Sequence, residues 1–409
     1  MTANSNYYDN LRLETRVGEI ADLGSGSTPA RTKHDRYFSN GRIWWVKTGD
    51  LNNGLIVNTD ERITDTAIAE TSCKVYPVDT VLVAMYGGFK QIGRTGVLGV
   101  PAAINQALTA ISVDKSKVYP IFLQHWLNAK VDVWRSLAGS SRKDPNITKA
   151  EVAAFPVLLP PLGEQKVIAE VLSAWDRAIE QTTALIAAKE RLKQGLMQQL
   201  LTGERRFNGF KGEWRECHLG DLFDDRREPG TDDLPLLSVT LDAGVVRRDS
   251  RDAPVRTTLE HEEHLLVRKG DIAYNMMRMW QGGSGMVKEN GVVSPAYVVC
   301  KPNEQIDSRF ADQLFHTPRM IYLFWAYSYG LTDDRRRLYF DGFSRISTRI
   351  PALVEQRRIA DAVDCLSNET TQLKNRLKAL GHQKRGLMQK LLTGEVRVSD
   401  RLLKLRAKS

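Results

Sequence analysis

The chain reads GLMQQLLTGE at residues 195–204 and GLMQKLLTGE at residues 386–395. Nine of the ten positions agree across an offset of 191 residues, which marks an internal duplication. The match extends upstream without a gap: PPLGEQKVIAE (160–170) overlies PALVEQRRIAD (351–361). From Leu159/Ile350 to Phe207/Val398, 19 of 49 positions are identical. The stretches in front of the two copies, about 1–158 and 208–349, are alike only faintly. The chain therefore alternates divergent and repeated segments, with boundaries at 1–158, 159–207, 208–349 and 350–409.

Each repeat carries a helical period. Steps of four and three collect Ile168, Leu172, Trp175, Ile179, Thr182, Ile186, Lys189, Lys193, Leu196 and Leu200. The same steps in the second copy collect Ile359, Val363, Leu366, Thr370, Leu373, Leu377, Leu380, Lys384, Leu387 and Leu391. Most of these positions are apolar, and the others around them are charged or amide-bearing, which is a heptad pattern. Prolines precede each helix (Pro160-Pro161 and Pro351), and Gly203 or Gly394 in Thr-Gly-Glu can take the left-handed turn that ends one. A helix from Glu164 to Leu201 is roughly 57 Å long at 1.5 Å per residue. Such a stripe needs a partner of matching length, and the other repeat supplies one. Two halves related by a two-fold axis would pair these helices antiparallel. The fold class expected is α+β: two α/β domains joined by two long antiparallel helices in a coiled coil, pseudo-two-fold symmetric.

Composition sets the outer limits. The 409 residues are 42% hydrophobic and 26% charged, ordinary for a globular protein of two or three domains. No apolar run approaches the ~18–20 residues that span a bilayer, and the polar start MTANSNYYDN lacks a signal-peptide core. Cys73, Cys217, Cys300 and Cys365 are far apart with no metal-ligand spacing, which fits a reducing cytoplasm. A net charge of +9 suits a polyanion partner such as DNA, although charge alone does not establish one.

The divergent segments share a thin pattern. Val17-Gly18-Glu19-Ile20 resembles Leu219-Gly220-Asp221-Leu222, and Val78–Leu82 resembles Gly270–Tyr274. Gly-rich connections follow short β-rich runs: YGGFKQIGRTG (86–96) and NMMRMWQGGSG (275–285). Arg and Gln side chains can pair with guanine and adenine edges in the major groove, so Lys90, Gln91, Arg94, Arg278, Trp280 and Gln281 are candidate DNA-binding residues. Arg142 and Lys143 in SSRKD, and Arg335, Arg336 and Arg337 in DDRRRLY, add charge that could meet phosphates. For any one of these a solvated turn is an adequate reading; for the set, DNA contact is favoured.

Other motifs fail on inspection. DLGSGSTP (22–29) resembles a cofactor-binding glycine turn, but TPARTKHDRYF is a poor opening for the helix that such a site needs. HEEH (261–264) spaces its histidines by three rather than four, unlike the zinc-protease pattern. No Walker A sequence, Asn-Pro-Pro-aromatic tetrapeptide or nucleophile elbow is present. The expectation is a non-catalytic chain with no cofactor or metal of its own.

Taken together, GEIADLGSGSTP…GRIWWVKTGDL (18–51), the NQAL and SPAYVV segments, PPLGEQKVIAEVL, IPALVEQRRIADAV and the doubled GLMQ(Q/K)LLTGE give the chain a family resemblance. It resembles the specificity subunit of type I restriction-modification systems over essentially its whole length. The resemblance implies two target-recognition domains, each reading half of a bipartite double-stranded DNA site. It implies conserved helices that set the spacer and bind two modification (methyltransferase) subunits. Those partners would carry S-adenosylmethionine and methylate adenine; restriction (translocase) subunits, where the system has them, would use ATP and Mg. The second half departs from the pattern, with DDRREPGTDD and LPLLSV in place of GxTP and IWWV, which leaves its strand alignment open. Two other readings stay open from the residues: a degenerate methyltransferase using the DLGSGS turn, and a scaffold whose coiled coil joins only proteins.

Overall fold

A computed structural model describes residues 12–139, 145–231, 233–250, 263–332 and 335–398. The chain divides into two compact units, one formed by 1–183 with 375–409 and the other by 184–374. Each long helix is therefore shared: Leu162–Thr202 and Leu353–Thr393 both have 41 residues and both pass from one unit into the other.

Unit 1 is built on a five-stranded sheet. Its order is Ala21–Ser25, Leu108–Val113, Val81–Ala84, Thr95–Leu98 and Leu55–Ile56, antiparallel except for the last pair. The central strand Val81–Ala84 is buried along its length, which explains its unbroken apolar sequence. A second sheet contains Ile43–Val46, the IWWV segment, beside Glu61–Ile63 and parallel to Ala102–Ile104. The helix Pro120–Ala129 packs Phe122, Leu123 and Trp126 into the core on one side of the main sheet.

Unit 2 repeats this plan. Its main sheet runs Phe223–Asp225, Tyr297–Pro302, Ile272–Asn275, Ser284–Met286, matching the first four strands of unit 1 in order and direction. The open alignment of the second half is resolved here. Leu236 forms a parallel bridge with Val292, while Trp45 pairs in parallel with Ala103. LPLLSV thus stands where IWWV stands, but it continues into a hairpin, Leu237–Thr240 with Gly244–Arg247, instead of a wider parallel pairing. The DLGSGSTP stretch is an ordinary strand followed by irregular backbone, as its poor helix signal implied. In HEEH, His261 and Glu262 lie outside the described residues.

The matching tetrapeptides VGEI and LGDL form one turn in each unit. Glu19 accepts from the Arg16 amide (3.2 Å) and Asp221 from the His218 amide (2.8 Å), both capping the turn from within. The glycine in each allows a close approach. A Cβ on Gly18 would lie 3.2 Å from Ala153 Cβ, and one on Gly220 would lie 2.9 Å from Ser344 Cβ.

The heptad positions read from the sequence are all buried or half-buried. In unit 1, Arg12 ties Glu164 (2.9 Å) to the carbonyl of Leu392 (2.6 Å), and Asp176 pairs with Lys384. Positions rising along one helix meet positions falling along the other, so the helices are antiparallel. Unit 2 gives the same direction through Lys189–Glu369 (2.6 Å) and, further along, Arg206–Glu355 (2.6 Å). Lys189 and Lys384, polar residues within an apolar period, reach across to carboxylates of the facing helix.

The duplicated LLTGE closes the cores. Leu391 and Leu392 are buried with Ile168, Ala169 and Leu172 at the root of the first helix. Leu200 and Leu201 are buried with Ile359 and Ala360 at the root of the second. Gly203 (φ 77°) and Gly394 (φ 84°) adopt the left-handed turn, and the amide two residues beyond reaches back to Gln199 or Lys390, 3.1 Å in both cases.

Gln165 and Gln356, at the equivalent position of each repeat, are fully buried clamps. Gln165 Nε2 donates to the carbonyls of Pro160 and Lys117 (both 2.9 Å), and its Oε1 accepts from the Tyr119 amide (2.8 Å). Gln356 does the same with Pro351 (2.9 Å), Gln305 (3.0 Å) and the Asp307 amide (2.9 Å). Each fixes a helix root to the start of the helix that backs the sheet. Replacing either by Ala removes the partner of three backbone groups, one in a buried bond and two in part-buried ones, at about 1 kcal/mol each. Gln356→Ala is expected to lose on the order of 2–4 kcal/mol of stability in urea unfolding, and a loss under ~0.5 kcal/mol would contradict the clamp.

One joint is also titratable. His125 is buried in unit 1, with Nε2 3.3 Å from Ser173 Oγ and Nδ1 3.9 Å from the Asp176 carboxylate. Burial and the Lys384 charge outweigh Asp176 and bring the imidazole down to about 4, so at neutral pH it is uncharged. A histidine with a depressed folded pKa contributes stability above its unfolded pKa of about 6.5, and that contribution is lost as pH falls towards 4. The full loss corresponds to about 3 kcal/mol. Gln313 occupies the equivalent place in unit 2, bonding Asp364 at 3.3 Å. His125→Gln is therefore expected to flatten the fall in melting temperature between pH 6.5 and 4; an unchanged slope would place the acid sensitivity elsewhere.

Candidate nucleic-acid interface

Six of the candidate DNA-binding residues, Lys90, Gln91, Arg94, Arg278, Trp280 and Gln281, sit on equivalent connections. In unit 1 the chain leaves the central strand at Ala84 and returns in Thr95–Leu98. Gly87 (φ 123°) and Gly88 (φ 86°) reverse it sharply, a backbone that side-chain-bearing residues resist. The loop is then stapled: the Ile147 amide donates to Met85 (2.8 Å), Arg135 Nε to the Phe89 carbonyl (3.1 Å), and Tyr86 OH to the Gln106 carbonyl (2.6 Å). Lys90 projects into solvent, while Gln91 and Arg94 are half-buried. Gln91 Oε1 is enclosed and without a hydrogen-bond partner, so this amide lies deeper than a base-reading side chain on an open loop would.

In unit 2 the corresponding connection joins Ile272–Asn275 to Ser284–Met286 and is two residues shorter. Asn275 starts its turn, accepting from the Met277 amide at Oδ1 (2.9 Å) and from the Arg278 amide at its carbonyl (2.9 Å). Gly282 (φ 87°) closes it. Arg278 is exposed and donates to Gln281 Oε1 (2.9 Å), which ties the guanidinium to the amide. Trp280 is half-buried, with its indole N–H bound to the Met277 carbonyl (3.1 Å). The ring therefore offers a face and not a donor.

The Leu338 amide donates to Met276 (3.0 Å), the counterpart of the Ile147–Met85 bond. It brings Arg335, Arg336 and Arg337 alongside the root of this connection. Arg335 and Arg337 are exposed, and Arg336 lies over the Trp325 ring at 4.4 Å. Among the described residues, Lys90, Arg94, Arg335 and Arg337 have no carboxylate within ion-pair distance. Their charge is thus available to phosphates. Arg142 and Lys143 lie outside the described residues.

The fold adds residues to this edge that residue-by-residue reading did not single out. Asn105-Gln106-Ala107-Leu108 and Ser294-Pro295-Ala296-Tyr297 form the same turn before equivalent strands, with Leu108 N–Asn105 O at 3.2 Å and Tyr297 N–Ser294 O at 3.0 Å. Gln106 is exposed, and Thr28 binds its side chain. In unit 2 a cavity of about 810 Å³ opens beside Pro295 and Tyr297, walled by Arg227, Tyr339, Phe340 and Asp341. The signal was present in the NQAL and SPAY segments, but nothing in their composition announces a surface. Among the described residues, no group of three or more His, Cys, Asp or Glu could hold a metal ion.

The duplicated α+β module thus offers one stapled connection with exposed cations in each copy. Residues 14–190 match the type I restriction modification DNA specificity domain. The specificity subunit of the EcoR124I/EcoR124II type I restriction enzyme of Escherichia coli is 22% identical over 199 residues, 46% of this chain and 49% of its own length. That of the MjaIX enzyme of Methanocaldococcus jannaschii is 28% identical over 170 residues, covering 40% and 38%. The chain spans about half or less of these relatives. Among solved structures, the S subunit from M. genitalium superposes with a TM-score of 0.60 at 16% identity, covering 96% of this chain and 99% of that one. A chain from a solved structure of the type I R-M system, described for its complex assembly and conformational transition, gives 0.56 at 16% identity, covering 95% and 99%. At such identities the likeness is one of fold.

Removing Lys90 and Arg94 together is expected to weaken duplex binding and lower the slope of log K against log salt by about one to two. Arg278→Ala should instead cost about 1–3 kcal/mol at one half of the site and relax base preference there. Anisotropy titrations across a salt series distinguish the two; unchanged slopes and affinities would move the interface away from these connections.

Proposed function

We propose that this protein is the DNA-sequence-reading subunit of a type I restriction-modification complex. Each unit reads one half of a bipartite duplex site, and the paired helices set the separation between halves. The observation that carries the reading is the duplicated connection: one sheet, staple and basic loop in residues 14–190, a family known for DNA specificity, and the same arrangement again in unit 2. The charge of +9 and the unpaired cations on both connections agree with a polyanionic partner.

In this reading the chain supplies the address and two methyltransferase subunits supply the chemistry, carrying S-adenosylmethionine and methylating adenine. Restriction subunits, where the system includes them, would add ATP- and Mg-dependent translocation and cleavage. The work would take place in the cytoplasm on chromosomal and incoming DNA. Among the described residues, no helix is long and apolar enough to cross a membrane.

The spacer is the direct test. Inserting four residues into the middle of both long helices lengthens the pair by about 6 Å. The distance between methylated half-sites should then grow by about one or two base pairs at ~3.4 Å each, with both half-site sequences unchanged. Methylome sequencing of cells carrying the variant reads this out. A spacer that stays fixed while methylation persists would refute the ruler. Exchanging 208–349 with a relative's segment should alter one half-site only.

A further inference from the structure

In unit 2 the second of the two backing helices carries an exposed aromatic face. The helix Pro318–Ala326 buries Met320 and Phe324 and turns Tyr322 and Trp325 outward, 63% and 38% exposed. Their rings stack on each other with centroids 6.0 Å apart and planes 27° from parallel. The Arg336 guanidinium covers Trp325 and its Nη1 lies 3.4 Å from the Trp325 carbonyl, which fixes the layer. Arg319 on the same helix, and Arg335 and Arg337 on either side of Arg336 in the chain, are exposed and, among the described residues, without carboxylate partners. The equivalent helix of unit 1, Val131–Gly139, buries Trp134 and exposes Val133 as its large apolar side chain.

Stacked rings open to water are unfavourable unless something covers them. Two flat rings, a guanidinium plane and three cations without carboxylate partners among the described residues match unstacked nucleobases with their phosphates, because every base offers a π face. Protein interfaces also use Tyr, Trp and Arg, but the excess of cations here favours a polyanion. The location agrees: Gly282, which closes the proposed reading connection, would place a Cβ 3.5 Å from Ile321 Cδ1 of this helix. Paired bases in an intact duplex present edges and not faces, so this surface is suited to bases that have left the stack.

We propose that Tyr322, Trp325 and Arg336 form a stacking platform for unpaired nucleobases, held by unit 2 alone. It rests on the reading of unit 2 as a DNA-binding module, and it adds single-stranded or bulged DNA to the forms the protein holds. A short oligo-dA strand containing 2-aminopurine, titrated with the full chain, tests it. Binding is expected to quench 2-aminopurine fluorescence through stacking. Trp325→Ala should weaken strand binding about tenfold, in line with ~1–3 kcal/mol per stacked base. Trp325→Phe should restore most of the affinity, while binding to the cognate duplex changes less than about twofold. Absence of quenching, or equal strand affinity in Trp325→Ala, would overturn the platform. So would a variant that binds the strand normally but no longer retains the methyltransferase subunits, which would mark the face as a protein-docking surface. Loss of duplex binding by the unaltered chain with strand quenching intact would count against the duplex-reading function and not against the platform.

Discussion

The architecture depends on a reciprocal burial. The end of each long helix supplies two leucines to the core at the root of the other: Leu391 and Leu392 in unit 1, Leu200 and Leu201 in unit 2. Four fully buried leucines contribute on the order of 6–12 kcal/mol of hydrophobic stabilisation, an upper range because a denatured chain already buries part of that area. Neither unit has a complete core without chain from both repeats. This is the physical reason the same ten residues are written twice. The repeat must end in a fixed plug, turn on a left-handed glycine, and leave its neighbours free to differ.

The clamps explain why so little else needs to match. Gln165 and Gln356 bind only backbone groups, so the residues that supply those groups, Lys117 and Tyr119 in one unit and Gln305 and Asp307 in the other, have no side chains in common. The stapling bonds at Met85–Ile147 and Met276–Leu338 are backbone bonds as well. A frame held by main-chain contacts tolerates wide variation in surface side chains. That property suits a module whose reading loops must change while its attachment to the helices does not.

This also accounts for what was legible in the sequence. The helices, their caps and their antiparallel partnership rest on periodicity and glycine placement, which are carried by residue type. The central strands emerged because burial on both faces demands continuous apolar runs. The equivalence of LPLLSV and IWWV did not emerge, since a shared parallel register leaves no trace when one segment is aromatic and the other aliphatic. The glutamine clamps were visible as an identical Glu-Gln pair in both repeats, but their meaning lay in carbonyls far away in sequence. At the candidate interface, the connections bearing Lys90 and Arg278 were found through glycine and charge. Burial then separated them: Lys90 and Arg278 reach solvent, Gln91 is largely enclosed, and Trp280 has spent its donor.

Differences between the units carry as much information as their likeness. At the joint between backing helix and long helix, unit 1 places His125 against Ser173 and unit 2 places Gln313 against Asp364. An uncharged side chain faces the long helix in both, yet only one of them can be charged by acid. Beside the reading connections, unit 1 buries Trp134 under Gly93, whereas unit 2 leaves Tyr322 and Trp325 exposed beside Arg336. The buried backbone contacts share one geometry in the two units, while the exposed side chains beside the reading connections differ, so each unit presents its own surface on a common frame.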